Sequence, residues 1–249
     1  MINLSNIRSD RYTVNWHESD FKGFASPDVI CNYLGESAWR QAGEQGFGFE
    51  DAEKLGQFWV VLRWYIKLQN YPRWRDEIVV ETWPRKPEHL FAFRDYRITD
   101  VGGKMLGAAT STWMVLDGVS RRPQRLDLVE NKMGLTPEDK ILGTDASKIT
   151  LPLSMPVINE IAVKYNDVDF NGHVTNTRYV EWCLDLFGHD FHQRHYLAEL
   201  QINFLHECSF DDTVELKMTS TGNTEFIVLA SNKQTGENIF AAKLTWLSY

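Results

Sequence analysis

The residues Asn166–Asn176 concentrate side chains that could do acid–base chemistry. Asp169, Asn171 and His173 alternate in this segment, which predicts that they project to one side of an extended or turning strand. Carboxylate, amide and imidazole groups at a helix start can move protons and stabilise a developing negative charge. An Asx-rich turn that merely caps the following helix would use the same residue types, so spacing alone leaves both interpretations open.

A weak internal repeat provides a comparison for this segment. The first copy has Lys22 and Phe24 where the second copy has Asn171 and His173. If the polar residues only shaped the turn, both copies would need them, so the repeat favours chemistry in the second half. Three matches occur in the same order along the chain: Asp20–Phe24 with Asp169–His173, Trp74–Val79 with Phe210–Glu215, and Gly103–Trp113 with Gly236–Trp246.

The elements that must position these residues recur in both copies. Helices are predicted over Ser26–Ala42, ended by Gly43, and over Asn176–Phe187, ended by Gly188. Runs rich in β-branched and aromatic residues follow each helix and predict antiparallel strands. The strands are expected at Val60–Leu68, Ile78–Trp83, Phe91–Thr99, Met105–Leu116, Leu200–Leu205, Thr213–Met218, Glu225–Ser231 and Ile239–Leu247.

A long helix followed by antiparallel strands is an α+β unit, in which a curved sheet covers the apolar face of the helix. The length fits two such units. We expect an N-terminal domain at residues 1–130, a connector at 131–155 and a C-terminal domain at 156–249.

A second group of candidate residues lies on the strand after the second helix, where Glu207 and Cys208 are adjacent. The other two cysteines, Cys31 and Cys183, lie on helix faces and are interpreted as core residues. A metal site is disfavoured, because the available histidines have loop spacing without a matching carboxylate. Those histidines are His189, His192, His195 and His206. No metal or organic cofactor is expected.

The overall charge excludes one class of partner. Lys and Arg total 26 against 34 Asp and Glu, a formal net charge of −8, which argues against nucleic acid. No apolar run approaches the ~18 residues of a transmembrane helix, and the N-terminus lacks the apolar core of a signal peptide. Three widely spaced cysteines make a poor disulfide framework, so a reducing compartment, the cytoplasm, is expected.

The motifs resemble the acyl-acyl carrier protein thioesterases of bacteria and plants. The stretch Asp167–His173, followed by Val174, Asn176 and Tyr179, is similar to that family's signature, as is Glu207-Cys208. The first half adds further similarities at Trp59-Val60, Tyr71-Pro72, Trp74, Asp76, Glu81–Trp83 and Arg121–Arg125.

The resemblance implies two tandem hotdog domains forming a pseudo-dimer, and hydrolysis of the thioester that joins a fatty acyl chain to acyl carrier protein. Asp169, Asn171, His173 and Glu207 would form the catalytic network, with Cys208 adjacent. Glu207 and His173 would activate a water, Asn171 would stabilise the oxyanion, and Asp169 would orient its neighbours. A rival assignment makes Cys208 the nucleophile and His173 its base.

The sequence leaves two properties open: the thiol compound that carries the acyl chain, and the oligomeric state of the protein. An acyl-coenzyme A thioesterase and a non-catalytic acyl-binding protein are alternatives, and both a monomer and a homodimer are compatible. Acyl carrier protein is acidic, so docking would need a local basic patch despite the net charge. The more basic first half offers Arg63, Lys67, Arg73, Arg75, Arg121, Arg122 and Arg125.

Tryptophan is unevenly distributed, with seven of nine in the first half. Ligand pockets for apolar chains are lined mainly by apolar and aromatic side chains. The hypothesis is that the N-terminal domain holds the acyl chain, whereas the C-terminal domain keeps the chemistry.

Overall fold

The N-terminal helix forms where the sequence combines a capping residue, a helix-starting proline and an apolar stripe. α1 spans Pro27–Glu44, with Ser26 at the N-cap. The helix continues past Gly43, so the predicted stop there is wrong, and the left-handed turn comes at Gly46, whose φ is 73°. The predicted buried face is confirmed at every position: Ile30, Tyr33, Leu34, Ser37, Ala38 and Gln41.

The structure, a computed structural model, describes residues 6–126, 137 and 139–249. The chain divides into an N-terminal unit, Met1–Ala146, and a C-terminal unit, Ser147–Tyr249. Residues 127–136 and 138, which carry the end of the expected N-terminal domain and part of the expected connector, lie outside the described residues. Within the described part, no helix combines the length and apolarity that a bilayer span requires.

The N-terminal unit is an antiparallel sheet with α1 packed against it. Its spatial strand order is β1-β3-β4-β5-β2, and α1 contacts β1 and β3. The elements are β1 at Arg8–Thr13, α1, a short α2 at Phe49–Glu53, β2 at Gln57–Leu68, β3 at Glu77–Glu88, β4 at Phe91–Asp100 and β5 at Met105–Asp117.

The C-terminal unit repeats this arrangement with the spatial order β7-β10-β9-β8-β6. Its helix packs on the sheet through Tyr179, whose ring stacks on Phe240 at 4.9 Å. A helix against an antiparallel sheet in each unit is the predicted hotdog fold. The elements are β6 at Val157–Ala162, α3 at Asn176–Leu184, α4 at His189–Arg194, β7 at His195–Phe204, β8 at Thr213–Ser220, β9 at Glu225–Asn232 and β10 at Asn238–Ser248.

The second helix is shorter than its sequence suggests. α3 ends at Leu184, whereas the pattern predicted a helix to Phe187 with Gly188 as its stop. Gly188 has φ −72° and is the N-cap of α4 instead. Phe187 still packs inward, with its ring 4.9 Å from that of Trp246, because a loop residue can fill the space that the helix leaves.

All eight predicted strands are confirmed, and two further strands were not predicted. The missed strands, β1 and β6, are the outermost strands of their units. β1 buries only Asp10, and β6 buries no residue. Neither segment therefore carries the apolar alternation from which strands are recognised, because an edge strand can form ladder hydrogen bonds without contributing to the core.

In the described part of the expected connector, each side forms polar contacts within its own unit. Ile141 N–H donates to Asp95 Oδ2 at 3.1 Å, and Asp145 pairs with Arg85 in the N-terminal unit. Ile149 N–H donates to Asn203 Oδ1 at 2.8 Å in the C-terminal unit. The division between the units falls within this segment, between Ala146 and Ser147.

Candidate active site

The first part of the site is a tight loop, Asp169–His173, just ahead of α3. The Asp169 N–H donates to the His173 carbonyl at 2.9 Å, and the Gly172 N–H donates to the Asp169 carbonyl at 3.0 Å. Asp169 Oδ1 also accepts the Asn171 N–H at 2.8 Å. Gly172 has φ 80°, a conformation that costs glycine little. The Asp169 carboxylate therefore maintains the loop that presents His173.

The second part of the site is the segment after β7, which pairs with the end of this loop. Glu207 and Cys208 were predicted on the strand, but the strand ends at Phe204 and both residues lie beyond it. His173 and Ser209 form an antiparallel bridge, and the Val174 N–H donates to the Cys208 carbonyl at 2.8 Å. This pairing places His173 Nε2 3.3 Å from Glu207 Oε2. Their side chains are 33% and 47% exposed, so water can reach both groups.

Asn171 is exposed, and its side chain is not part of the His173–Glu207 contact. Its backbone N–H is bonded to Asp169, but its side-chain amide forms no hydrogen bond with the described residues. Two of the predicted residues, His173 and Glu207, are thus in direct contact, whereas the Asn171 amide lies on the same loop and is hydrogen-bonded to neither. An amide in this state can donate to a substrate oxygen.

Cys208 is next to Glu207 in sequence but faces the interior. It is 0% exposed, and burial raises the pKa of its thiol to about 12, with the nearby Asp212 carboxylate adding to the shift. A thiol reacts as a nucleophile only when it is ionised. The environment of Cys208 therefore suppresses the reactive form.

Sequence reasoning missed two side chains that shape the site. Arg178, in the first turn of α3, lies with its Nε 3.5 Å from Asp167 Oδ1 and donates to the Asn166 carbonyl at 3.1 Å. Asp212 Oδ2 accepts the Ser209 N–H at 2.8 Å. The repeat carried a signal for Asp212, because the first copy has an aspartate at the matching position. Arg178 had no counterpart to mark it.

Three of the four candidate metal-ligating histidines hydrogen-bond to backbone carbonyls instead. The ring nitrogens of His192, His195 and His206 lie 2.7–3.0 Å from the carbonyls of Leu184, Phe191 and Asn238. In the part of the chain that the structure describes, no cluster of three or more His, Cys, Asp or Glu could hold a metal ion.

The N-terminal unit contains the same loop with different chemistry. The Asp20 N–H donates to the Phe24 carbonyl at 2.7 Å, the Gly23 N–H donates to the Asp20 carbonyl at 2.9 Å, and Asp20 Oδ1 accepts the Lys22 N–H at 2.8 Å. These hydrogen bonds match those of the C-terminal loop one for one. Lys22 and Phe24 thus occupy the backbone positions of Asn171 and His173, which shows that this loop shape does not require an amide or an imidazole.

Two curated relatives are similar to most of the chain. The chloroplastic oleoyl-acyl carrier protein thioesterase 2 of Arabidopsis thaliana is 28% identical over 248 residues, which cover 92% of this chain and 66% of the relative. The chloroplastic palmitoyl-acyl carrier protein thioesterase of Gossypium hirsutum is 28% identical over 234 residues, which cover 88% and 56%. The chain therefore spans about two thirds or less of these relatives.

Solved structures are similar over almost the whole chain. An acyl-ACP thioesterase from Bacteroides thetaiotaomicron superposes with a TM-score of 0.91 at 25% identity, covering 99% of this chain and 100% of the other. The 12:0-ACP thioesterase from Umbellularia californica has a TM-score of 0.85 at 21% identity, covering 98% of each chain, and supports the fold alone.

Family models match both halves of the chain. The model of the acyl-ACP thioesterase N-terminal domain matches residues 6–129, and that of the acyl-ACP thioesterase C-terminal domain matches residues 152–248. Together the two models account for nearly all of the sequence, with the N-terminal domain preceding the C-terminal domain. The chain belongs to the acyl-ACP thioesterase family.

Proposed function

We propose that this protein hydrolyses the thioester between a fatty acyl chain and acyl carrier protein, releasing a free fatty acid and the carrier. The observation that carries this proposal is the 3.3 Å contact between His173 and Glu207, a partly exposed acid–base pair on the loop of the C-terminal unit. Family membership supports the substrate class, and fatty acid biosynthesis is the process in which we propose that the reaction takes part.

The chemistry follows from the pair and the loop beside it. Glu207, assisted by His173, takes a proton from a water molecule as the oxygen attacks the thioester carbonyl carbon. The C=O electrons move to oxygen, and the Asn171 amide together with backbone N–H groups at the start of α3 stabilises that charge. When the intermediate collapses, the C–S bond breaks, and the carrier sulfur leaves and recovers the proton. Asp169 acts by holding the loop.

The decisive experiment is a hydrolysis panel with the purified protein. Acyl carrier protein thioesters and the matching coenzyme A thioesters, from short to long chains, are assayed for thiol release. Preferential turnover of the carrier protein esters supports the proposal. Equal or better turnover of coenzyme A esters would point to an acyl-coenzyme A thioesterase, and acyl binding without turnover of any ester would overturn the enzymatic assignment.

The same panel addresses the proposed role of the N-terminal unit in binding the acyl chain. Trp64 and Trp83 are buried and support an apolar interior. Trp16, Trp39 and Trp74 are exposed, so lining a pocket for the acyl chain does not by itself explain the excess of tryptophan in this unit. Substitutions on the inner face of α1 that change chain-length preference while hydrolysis persists would support the assignment of this unit.

The cytoplasm is the compartment that we propose. Cys31, Cys183 and Cys208 are all unpaired and buried, as expected of a protein that works under reducing conditions.

Cys208→Ala is expected to retain activity within about tenfold of the parent protein. The thiol is buried and its pKa is raised to about 12, so little thiolate is available for a covalent route. Steady-state kcat with the best substrate of the panel measures the effect. Complete loss of turnover in a variant that keeps its circular dichroism spectrum and unfolding midpoint would restore Cys208 as the nucleophile.

A further inference from the structure

The Asp20–Phe24 loop of the N-terminal unit and the segment paired with it carry positively charged residues where the C-terminal unit has its candidate active site. It pairs with a neighbouring segment as the C-terminal loop does, because the Ala25 N–H donates to the Pro72 carbonyl at 2.8 Å and Phe24 bridges Arg73. This equivalence aligns the two segments residue by residue. At three aligned positions a cation replaces a neutral or acidic residue: Lys22 for Asn171, Arg73 for Ser209, and Arg75 for Asp211.

The backbone dihedral angles confirm this alignment, because aligned residues share a conformation that is rare for residues other than glycine. Arg75 has φ 76°, and Asp211 has φ 67°, both in the left-handed region. Arg73 N–H donates to Asp76 Oδ2 at 2.7 Å, as Ser209 N–H donates to an aspartate in the other unit. Because the backbone is the same in both units, the cations are not required to form the turn.

The two arginines are held by aromatic rings. The Arg75 guanidinium lies 4.3 Å from the centroid of Trp74, and that of Arg73 lies 4.5 Å from the centroid of Phe24. Among the residues that the structure describes, no carboxylate forms an ion pair with either arginine. A cation–π contact restrains a guanidinium, and the N–H donors, which lie in the plane of the guanidinium itself, can still donate to a partner.

These cations share the surface with large apolar groups. Trp74 is 48% exposed, and Phe21, whose ring centroid lies 5.6 Å from Lys22 Nζ, is 57% exposed. Tryptophan and arginine are the residues most enriched in the energetic centres of protein interfaces. A small anion would gain little from two exposed aromatic rings, so this composition favours a protein partner with acidic side chains. We call Lys22, Arg73, Trp74 and Arg75 the cationic face.

We propose that the cationic face is a docking surface for acidic acyl carrier protein, an inference that rests on the proposed function. An acidic partner is repelled at long range by a chain of net charge −8. Salt screens that repulsion beyond a Debye length of about 8 Å, so local cations decide the encounter. Complementary charge of this kind raises the association rate and makes binding depend on salt.

The test replaces each cation by the residue that the C-terminal unit uses at the same backbone position, in the triple variant K22N/R73S/R75D. The KM for acyl carrier protein thioester is expected to rise about tenfold, and the dependence of that KM on salt should become shallower. The coenzyme A ester lacks the protein partner, so its KM should change no more than in the control variant.

The matched control removes the same charge from exposed cations elsewhere in the N-terminal unit, in the variant K54N/K86S/K104D. An equal rise of KM in both triple variants would mean that net charge, rather than the cationic face, governs docking. An unchanged KM and salt dependence in K22N/R73S/R75D would also overturn the proposal. Circular dichroism and the unfolding midpoint check that each variant is folded.

A direct binding measurement separates this inference from the proposed function. Titration of acyl carrier protein onto the parent protein and both triple variants requires no turnover. Tight binding that is weakened only in K22N/R73S/R75D would support the docking surface even if no thioester is hydrolysed. Equal binding to all three proteins would reject the docking surface even if hydrolysis is efficient.

Discussion

Glu207→Gln is expected to lower kcat for thioester hydrolysis by about 10²–10⁴-fold, the range that a general base contributes. Glutamine preserves the size of the side chain but cannot accept a proton from water. Glu207 is 47% exposed, so the fold should tolerate the change. Measuring kcat and KM on the preferred acyl carrier protein substrate separates loss of chemistry from loss of binding.

Glu237→Gln is the matched control, because Glu237 is an exposed glutamate of the same unit outside the site. It should leave kcat unchanged.

His173→Ala and Asn171→Ala should each also cost orders of magnitude in kcat. If Glu207 and His173 act as one unit, the double variant should lose little more than the more damaging single variant. If none of the three single substitutions at the site lowers kcat, the site assignment is wrong.

Arg85→Met is expected to destabilise the protein by about 3–5 kcal/mol, the usual cost of removing one partner of a buried ion pair. Arg85 Nε lies 3.1 Å from Asp95 Oδ1, and the Asp95 side chain is fully buried. Methionine fills much of the space of the arginine stem but leaves the carboxylate without a counter-charge. The free energy of unfolding in urea, compared with that of the parent protein, measures the loss.

The pH dependence of this loss has a definite sign. Burial raises the pKa of Asp95, and Arg85 opposes that shift, so removing Arg85 raises the pKa further. A carboxyl whose pKa is raised in the folded state destabilises the fold above its unfolded pKa, and the penalty disappears as protonation proceeds. The cost of Arg85→Met should therefore be largest at neutral pH and smaller in mild acid.

Arg97→Met is the matched control on the same sheet. The pair between Arg97 and Glu81, at 2.9 Å, is partly exposed, and pairs of this kind contribute about 0–1 kcal/mol. A loss from Arg85→Met no greater than that from Arg97→Met, or a loss that grows in acid, would show that Asp95 is not an uncompensated charge in the variant.

Local patterns in the sequence were sufficient for much of the fold. The buried face of α1 and all eight predicted strands could be predicted because burial repeats apolar residues with a period of 3.6 in a helix and of 2 in a strand. The same reasoning failed at Gly43 and Gly188, where a glycine indicated a helix stop but the chain used it otherwise. It also missed β1 and β6, since edge strands need no apolar alternation.

For the site, the sequence by itself identified the two segments and, through the repeat, the half in which chemistry was expected. Only the tertiary structure brings His173 to 3.3 Å from Glu207, because that distance depends on a bridge between segments more than thirty residues apart. It also decided that Cys208 is buried while Glu207 is exposed, although the two residues are adjacent in the sequence. Residue types and spacing set the available chemistry, and packing determined which of those groups can meet water.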